Sequence, residues 1–311
     1  MSNSESVKIP RGWSAKNIAS QSGKTFLITG GTSGIGKEAA RELVRAGGEV
    51  IITSRDDRKG QATVAEIGGS ISYRLLELTS LKSISECAAG ISSQIDVLIL
   101  NAGVMATPFK KTDDGFELQL GTNHLGHFAF AGLLHKKVRT RIVSVSSLAH
   151  RMGNFGDGSV ETIRNYALGV GEYKKWGAYG RSKLANLLFI HELERRARKL
   201  GLPFTAHAVH PGYSNTNLQS VASVMRGAKV ETIVTELMNR IFAQSAAAGA
   251  LPTLAAATYP HLSGASFIGP DRIFESRGTP RLTRANSFAY DQEVAANLWK
   301  VSEELTHVNW G

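Results

Sequence analysis

Short apolar runs recur along the chain and alternate with stretches whose apolar residues return every three or four positions. The runs Thr25–Thr29, Glu49–Thr53, Ser72–Leu76, Asp96–Leu100, Thr140–Val145, Phe204–Val209 and Ser266–Ile268 predict strands. Between them lie helical patterns. Lys37 to Leu43 is rich in good helix formers, and a long helical region follows Thr112. A further helix is expected from about Tyr179 to Leu200, with Leu184, Leu187, Leu188 and Leu193 at helical spacing. Apolar runs alternating with helices are the pattern of a parallel sheet covered on both faces. There is no internal repeat. Residues 1–23 read as an N-terminal extension and 24–311 as one domain. Two segments break the alternation, 151–176 and 215–245. Both follow strands that end at the ligand-binding edge of such a sheet, so they are expected to be substrate-side loops, with surface decoration as the other reading.

Composition narrows the class only a little. An apolar fraction of 42% with 20% charged residues in 311 residues is ordinary for a globular protein. Cys87 is the single cysteine, which excludes a disulfide framework and a multi-cysteine metal site; no metal is expected. No apolar run is long enough to span a bilayer, and the polar start lacks a signal-peptide pattern, so a cytoplasmic protein is expected. The net charge of +10 comes from short scattered clusters with no nucleic-acid-binding motif beside them, so no nucleic-acid partner is expected.

The chemistry concentrates in two places. Thr29-Gly30-Gly31-Thr32-Ser33-Gly34-Ile35-Gly36 joins a predicted strand to a predicted helix. Amides at a helix N-terminus attract phosphate, and glycines let it approach closely. Gly30, Thr32, Ser33, Gly34, Ile35 and Gly36 are therefore candidate dinucleotide contacts. Ser54 and Arg55 end the next strand, where a carboxylate would hold an NAD ribose; Arg55 can instead pair with a 2′-phosphate. Asn101-Ala102-Gly103 follows the strand ending at Leu100, small enough for a nucleotide to lie against. In the second place, Tyr179 and Lys183 lie one helical turn apart on one face. A nearby ammonium favours a phenolate, and the pair suits general acid–base work. Ser147, at a strand end, could hydrogen-bond a substrate oxygen; no Gly-x-Ser-x-Gly elbow makes it a nucleophile.

Together, Thr29-Gly30…Gly34-x-Gly36, Asn101-Ala102-Gly103, Asn123, Ser147, Tyr179…Lys183 and Pro211-Gly212 resemble the short-chain dehydrogenase/reductase family, over about Lys24 to Gly269. The glycine run and Gly121-Thr122-Asn123-His124-Leu125-Gly126-His127-Phe128 look most like its retinol dehydrogenase-like branch. The resemblance implies a single doubly wound Rossmann domain with about seven parallel strands. It implies that Tyr179 exchanges the substrate proton and that Lys183 holds the nicotinamide ribose and acidifies Tyr179. Ser147 would orient the substrate oxygen, and Asn123 would support a relay water. Glu77 and Leu78 would border adenine, and Pro211, Gly212 and Thr216 the nicotinamide. Hydride passes directly between cofactor and substrate, without a metal.

The expected activity is NADP(H)-dependent interconversion of an alcohol and a ketone or aldehyde, with NAD(H) the lesser cofactor. The substrate would be small to medium and apolar, in a pocket formed by Met105, Phe109, Phe155, Leu218 and Met225, with core or lid packing as the other reading of these residues. Reduction of an activated C=C bond is the enzymatic alternative, and a nucleotide-sensing protein the non-enzymatic one. A homo-oligomer is compatible with the family.

Overall fold

The computed structural model describes residues 8–213 and 244–310. Every strand read from an apolar run is present: β1 (Thr25–Ile28), β2 (Glu49–Ser54), β3 (Ile71–Leu75), β4 (Ile95–Leu100), β5 (Val138–Val145), β6 (Thr205–Val209) and β7 (Phe267–Arg272). An eighth strand, β8 (Arg277–Leu282), extends the expected seven. The sheet order is β3-β2-β1-β4-β5-β6-β7-β8. All pairs are parallel except β7 with β8, which form an antiparallel hairpin at the edge. β1 pairs with both β2 and β4, Phe26 standing opposite Val50 on one side and Val97 on the other. The chain reverses direction across the sheet at this point. The crevice at the C-terminal ends of β1 and β4 is therefore the topological switch point, where ligands bind in doubly wound sheets.

The helices are α1 (Gly34–Arg45), α2 (Asp57–Ile67), α3 (Leu81–Ala89), α4 (Leu118–Leu120), α5 (Gly126–Leu134), α6 (Val160–Ala167), α7 (Lys175–Leu200), α8 (Ala246–Thr258) and α9 (Gln292–Thr306). They cover both faces of the sheet. Phe26 and Ile28 pack in one core with Ala39 and Leu43 of α1 and Leu254 of α8. Leu27, between them, packs in the other core with Ile84 of α3, Phe128 of α5, Leu188 of α7 and Trp299 of α9. Successive strand residues point to opposite faces. Because both faces are buried, the run is apolar without a break.

The segment from Lys8 lies against the first core, burying Ile9 and Trp13. Arg45 donates to the Ala15 carbonyl (2.7 Å) and Tyr259 to that of Lys8 (3.1 Å). Segment 151–176 is more ordered than its composition suggests. It contains α6, capped by Ser159 accepting from the Thr162 amide, and Arg164 pairs with Glu304 of α9 at 2.6 Å. Of segment 215–245, all but Gln244 and Ser245 lies outside the described residues, as does Thr216. Among the described residues no helix is long and apolar enough to cross a membrane.

Candidate active site

At the switch point the glycine run turns sharply from β1 into α1. Gly30 has φ +68°, and a Cβ there would stand 2.9 Å from that of Ala102. A Cβ on Gly36 would meet Asn101 Nδ2 at 2.4 Å and the Gly30 carbonyl at 2.5 Å. Backbone cannot yield to such an intrusion, so the turn is open only to glycine. Ser33 is the N-cap of α1, yet its side chain makes no capping bond. The amides of Gly34, Ile35 and Gly36 lack intrahelical acceptors by position. Their donors and the helix dipole form a cradle that fits a pyrophosphate.

Thr29 holds this turn to the end of β4. Its Oγ1 accepts from the amides of Asn101 (2.8 Å) and Ala102 (3.0 Å). Asn101 Nδ2 donates back to the Thr29 carbonyl at 2.9 Å. With both lone pairs taken, the Thr29 hydroxyl donates its proton to His127 Nε2, 2.8 Å away. That count places the imidazole proton on Nδ1, which donates to the Asn123 carbonyl at 3.1 Å. Burial pushes the His127 pKa down to about 4, so the ring is neutral as the count requires. Asn123 lies in a π-helical turn, Gly121–Leu125, that interrupts the path from α4 to α5. Such turns often mark functional sites. Its side chain is fully buried: Oδ1 accepts from the Val104 amide (2.8 Å), and Nδ2 donates to the Val104 carbonyl (2.9 Å) and to Ser182 Oγ (2.9 Å). The sequence motifs include Thr29 and His127 but assign neither a role. The spacing Asn123…His127, one helical turn, is the signal that could have found the second.

The acid–base face lies on the neighbouring helix. Tyr179 and Lys183 are both buried on α7. Lys183 Nζ donates to the Val145 carbonyl at 3.0 Å, and a Cβ on Gly103 would lie 3.5 Å from it. Thus Lys183, Asn123 and Gly103 converge. Ser147 follows β5, caps the short 3-10 helix Leu148–Met152, and hydrogen-bonds the Tyr179 side chain. Its carbonyl is met by His150 Nδ1 at 2.6 Å.

One expectation changes here. Burial raises the Tyr179 pKa to about 12, and only the bond to Ser147 works against it. Lys183, itself pushed down to about 8 by burial, does not acidify the phenol in the free protein. Its Nζ is 5.9 Å from the centre of the Tyr179 ring. Desolvation of both groups outweighs their mutual effect.

The remaining candidates are spread along the sheet edge. Ser54 is buried and donates to the Asp56 carbonyl (2.7 Å), while Arg55 is exposed. Glu77 accepts from the Thr79 amide at 3.1 Å; the Leu78 side chain belongs to the core. Pro211 and Gly212 follow β6. Gly212 has φ +69°, and a Cβ on it would press to 2.3 Å from the Ser276 carbonyl. Of the expected apolar lining, Met105 is half-buried and Phe109 exposed, its ring edge-on to Tyr173 at 5.2 Å. Phe155 is buried within the core, and Leu218 and Met225 lie outside the described residues. Trp176 stands exposed one turn before Tyr179, its ring 6.2 Å away; sequence reasoning passes over it.

A sequence model of short chain dehydrogenases matches residues 24–159. Human retinol dehydrogenase 13 is 37% identical over 91% of this chain and 84% of its own length. Human retinol dehydrogenase 12 is 37% identical over 93% and 88%. A crystal structure of an uncharacterised protein from Mycobacterium paratuberculosis is 41% identical and covers 96% of this chain and 99% of its own, with a TM-score of 0.82. An actinorhodin polyketide ketoreductase solved with NADPH shares the fold, at 20% identity and a TM-score of 0.61. The chain belongs to the short-chain dehydrogenase family, in its retinol dehydrogenase-like branch, and is an NAD(P)-dependent oxidoreductase working between alcohols and carbonyl compounds.

Proposed function

We propose that this is a cytoplasmic enzyme that prefers NADP(H) and interconverts an apolar alcohol with its ketone or aldehyde. The convergence of Ser147, Tyr179, Lys183 and Asn123 beside a glycine cradle supports the reading most directly. When bound, the nicotinamide supplies or receives the hydride at the substrate carbon. In reduction Tyr179 donates its proton to the substrate oxygen, so one hydride and one proton complete the alcohol. Ser147 holds that oxygen. Lys183 would hold the nicotinamide ribose, and Asn123 would support a water that restores the proton. The Tyr179 pKa of about 12 keeps the phenol protonated and ready to donate. The positive charge of an oxidised nicotinamide would favour the phenolate for the reverse direction. Gly30, Thr32, Ser33, Gly34, Ile35 and Gly36 would carry the pyrophosphate. Ser54 and Arg55 would take the 2′-phosphate, Glu77 and Leu78 would border the adenine, and Asn101, Ala102 and Gly103 would let the nucleotide lie against the end of β4. Pro211, Gly212 and Thr216 would border the nicotinamide.

The preference for NADP(H) rests on what the neighbouring acids do. Asp56 caps α2 by accepting from the Lys59 amide (3.0 Å). Asp57 accepts from Tyr73 (2.8 Å) and Gln61 (2.7 Å). Both carboxylates are engaged in local structure, which leaves exposed Arg55 as the charge at the end of β2. A charge-assisted phosphate contact is among the stronger hydrogen bonds. Arg55→Ala is therefore expected to weaken NADPH binding roughly tenfold to hundredfold and leave NADH nearly unchanged. Titration of both cofactors into both proteins measures this, and tighter NADH than NADPH binding by the parent contradicts it. A screen of ketones, aldehydes and enones, followed by product analysis, separates carbonyl from C=C reduction.

A further inference from the structure

We propose that the β7–β8 hairpin and the chain following it are a docking surface for a bilayer bearing anionic headgroups, with Ile273 and Phe274 as its apolar tip. Five of the twelve large hydrophobic side chains exposed among the described residues fall between 273 and 290: Ile273, Phe274, Leu282, Phe288 and Tyr290. Phe274 is 94% exposed. Ile273 and Phe274 are adjacent in the turn between β7 and β8, and exposed large apolar side chains side by side mark an interaction site.

The same stretch is basic on its outside. Arg272, Arg277, Arg281 and Arg284 are all exposed. Its two acids are shared between internal partners and these arginines: Asp271 lies 3.9 Å from Arg272 and Glu275 lies 3.9 Å from Arg281. Asp271 accepts from the Thr279 amide (2.8 Å) and hydroxyl (3.0 Å). Glu275 accepts from Arg151 at 2.9 Å and from the Thr283 hydroxyl, and lies 3.4 Å from His210 Nε2. Exposed aromatic and aliphatic groups flanked by arginines suit the headgroup boundary of an anionic membrane, where the apolar tip inserts and the cations meet phosphate.

The turn is also built to present its tip. Ile273, Phe274 and Glu275 are three consecutive non-glycine residues with φ of +46°, +52° and +64°. Such a run is strained and persists only when its surroundings hold it. Glu275, tied to Arg151, Thr283 and His210, anchors its inner end and leaves Ile273 and Phe274 outside. Protection of an edge strand accounts for arginines and Pro280 along β8, but not for an aromatic tip standing in water. The tip also adjoins the candidate site, since Tyr213 donates its amide to the Ser276 carbonyl at 2.7 Å.

The test is co-sedimentation of the whole chain with phosphatidylcholine vesicles and with mixed phosphatidylcholine–phosphatidylglycerol vesicles. Binding is expected to the mixed vesicles only, and to weaken as salt is raised. Phe274→Ser should lower the partition coefficient roughly tenfold. Arg281→Ala with Arg284→Ala should cost about fivefold per arginine. Leu133→Ser, at an exposed position on α5, should change nothing. Thermal melts confirm that the variants fold. No binding, equal binding to both vesicles, or parent-level binding by Phe274→Ser would overturn the proposal. So would a dimer in light scattering that Phe274→Ser dissociates without any vesicle binding, which would assign the surface to a second copy. Turnover of a water-soluble substrate, measured on the same proteins, reports separately on the proposed function.

Discussion

Residues 1–100 contain no histidine, whereas the rest of the chain holds all nine, and the difference follows how each half builds its share of the site. The first half, β1 to β4 with α1 to α3, presents backbone. At the pyrophosphate its working parts are a glycine turn, first-turn amides and small residues at strand ends, with Ser54 and Arg55 the proposed side-chain contacts at the end of β2. Such a site is fixed by φ and by the absence of side chains. The second half presents polar side chains, with Tyr179, Lys183 and Asn123 buried and Ser147 half-buried, and with His127, His150 and His210 bonded to Asn123, Ser147 and Gly212. Those rings work only while neutral or paired. A backbone site is therefore sensitive to volume, and a side-chain site to protonation. Thr29 joins the two, accepting amides from Asn101 and Ala102 and donating to His127.

The largest expected effect comes from acid. Burial depresses His124 and His207 to about 3, and His127 and His150 to about 4. In the unfolded chain these rings titrate near about 6.5. Between those values the unfolded chain binds protons that the native state refuses. The stability of neutral burial is thus full above about pH 6.5 and is lost as pH falls toward the folded values. Each ring contributes up to about 1.4 kcal/mol per pH unit. Native-state hydrogen exchange at pH 7 and 5 should show β5, β6 and α7 losing more protection than β1 and β2. Equal loss in both halves would break the comparison.

Volume should injure the first half instead. Gly36→Ala forces a Cβ against the Gly30 carbonyl and Asn101. Displacing the turn by about 1 Å is expected to cost roughly 10²-fold in cofactor affinity. Near-parent affinity by calorimetry would mean that the cradle does not hold the pyrophosphate. A smaller effect sharpens the other side. Glu275→Gln keeps the shape but removes the charge shared by Arg151, Thr283 and His210. Because Arg151 is half-exposed, a loss of about 1–2 kcal/mol in stability is expected. Cofactor affinity should stay within a few-fold. A large loss of affinity with little loss of stability would place Glu275 in the cofactor site.

The halves also differ in how far the sequence discloses them. Strands such as β1, β2, β4 and β6 were readable because burial on both faces makes each a largely apolar run, whereas β3, Ile71-Ser-Tyr-Arg-Leu75, has no buried residue and was readable from β-branched and aromatic residues alone. β8 was not: Arg277-Gly-Thr-Pro-Arg-Leu282 has no apolar run and holds a proline, and it pairs only because β7 offers an edge. The glycine turn was readable because its chemistry is local. His127 and Glu275 were not, because their partners stand 98 residues away at Thr29 and 124 away at Arg151. The expected lowering of the Tyr179 pKa is absent in the free protein for a related reason. Helical spacing brings Lys183 to the same face, but burial, which a spacing does not reveal, governs both groups.

In the proposed reaction Tyr179 carries the proton while the glycine half carries the cofactor. Tyr179→Phe removes one hydroxyl and nothing else. Single-turnover reduction with prebound NADPH, on a substrate found by the screen, tests it most directly. The account predicts a rate lower by about 10²–10⁴-fold with the NADPH dissociation constant unchanged within a few-fold. A parent-like rate in that single turnover would contradict it.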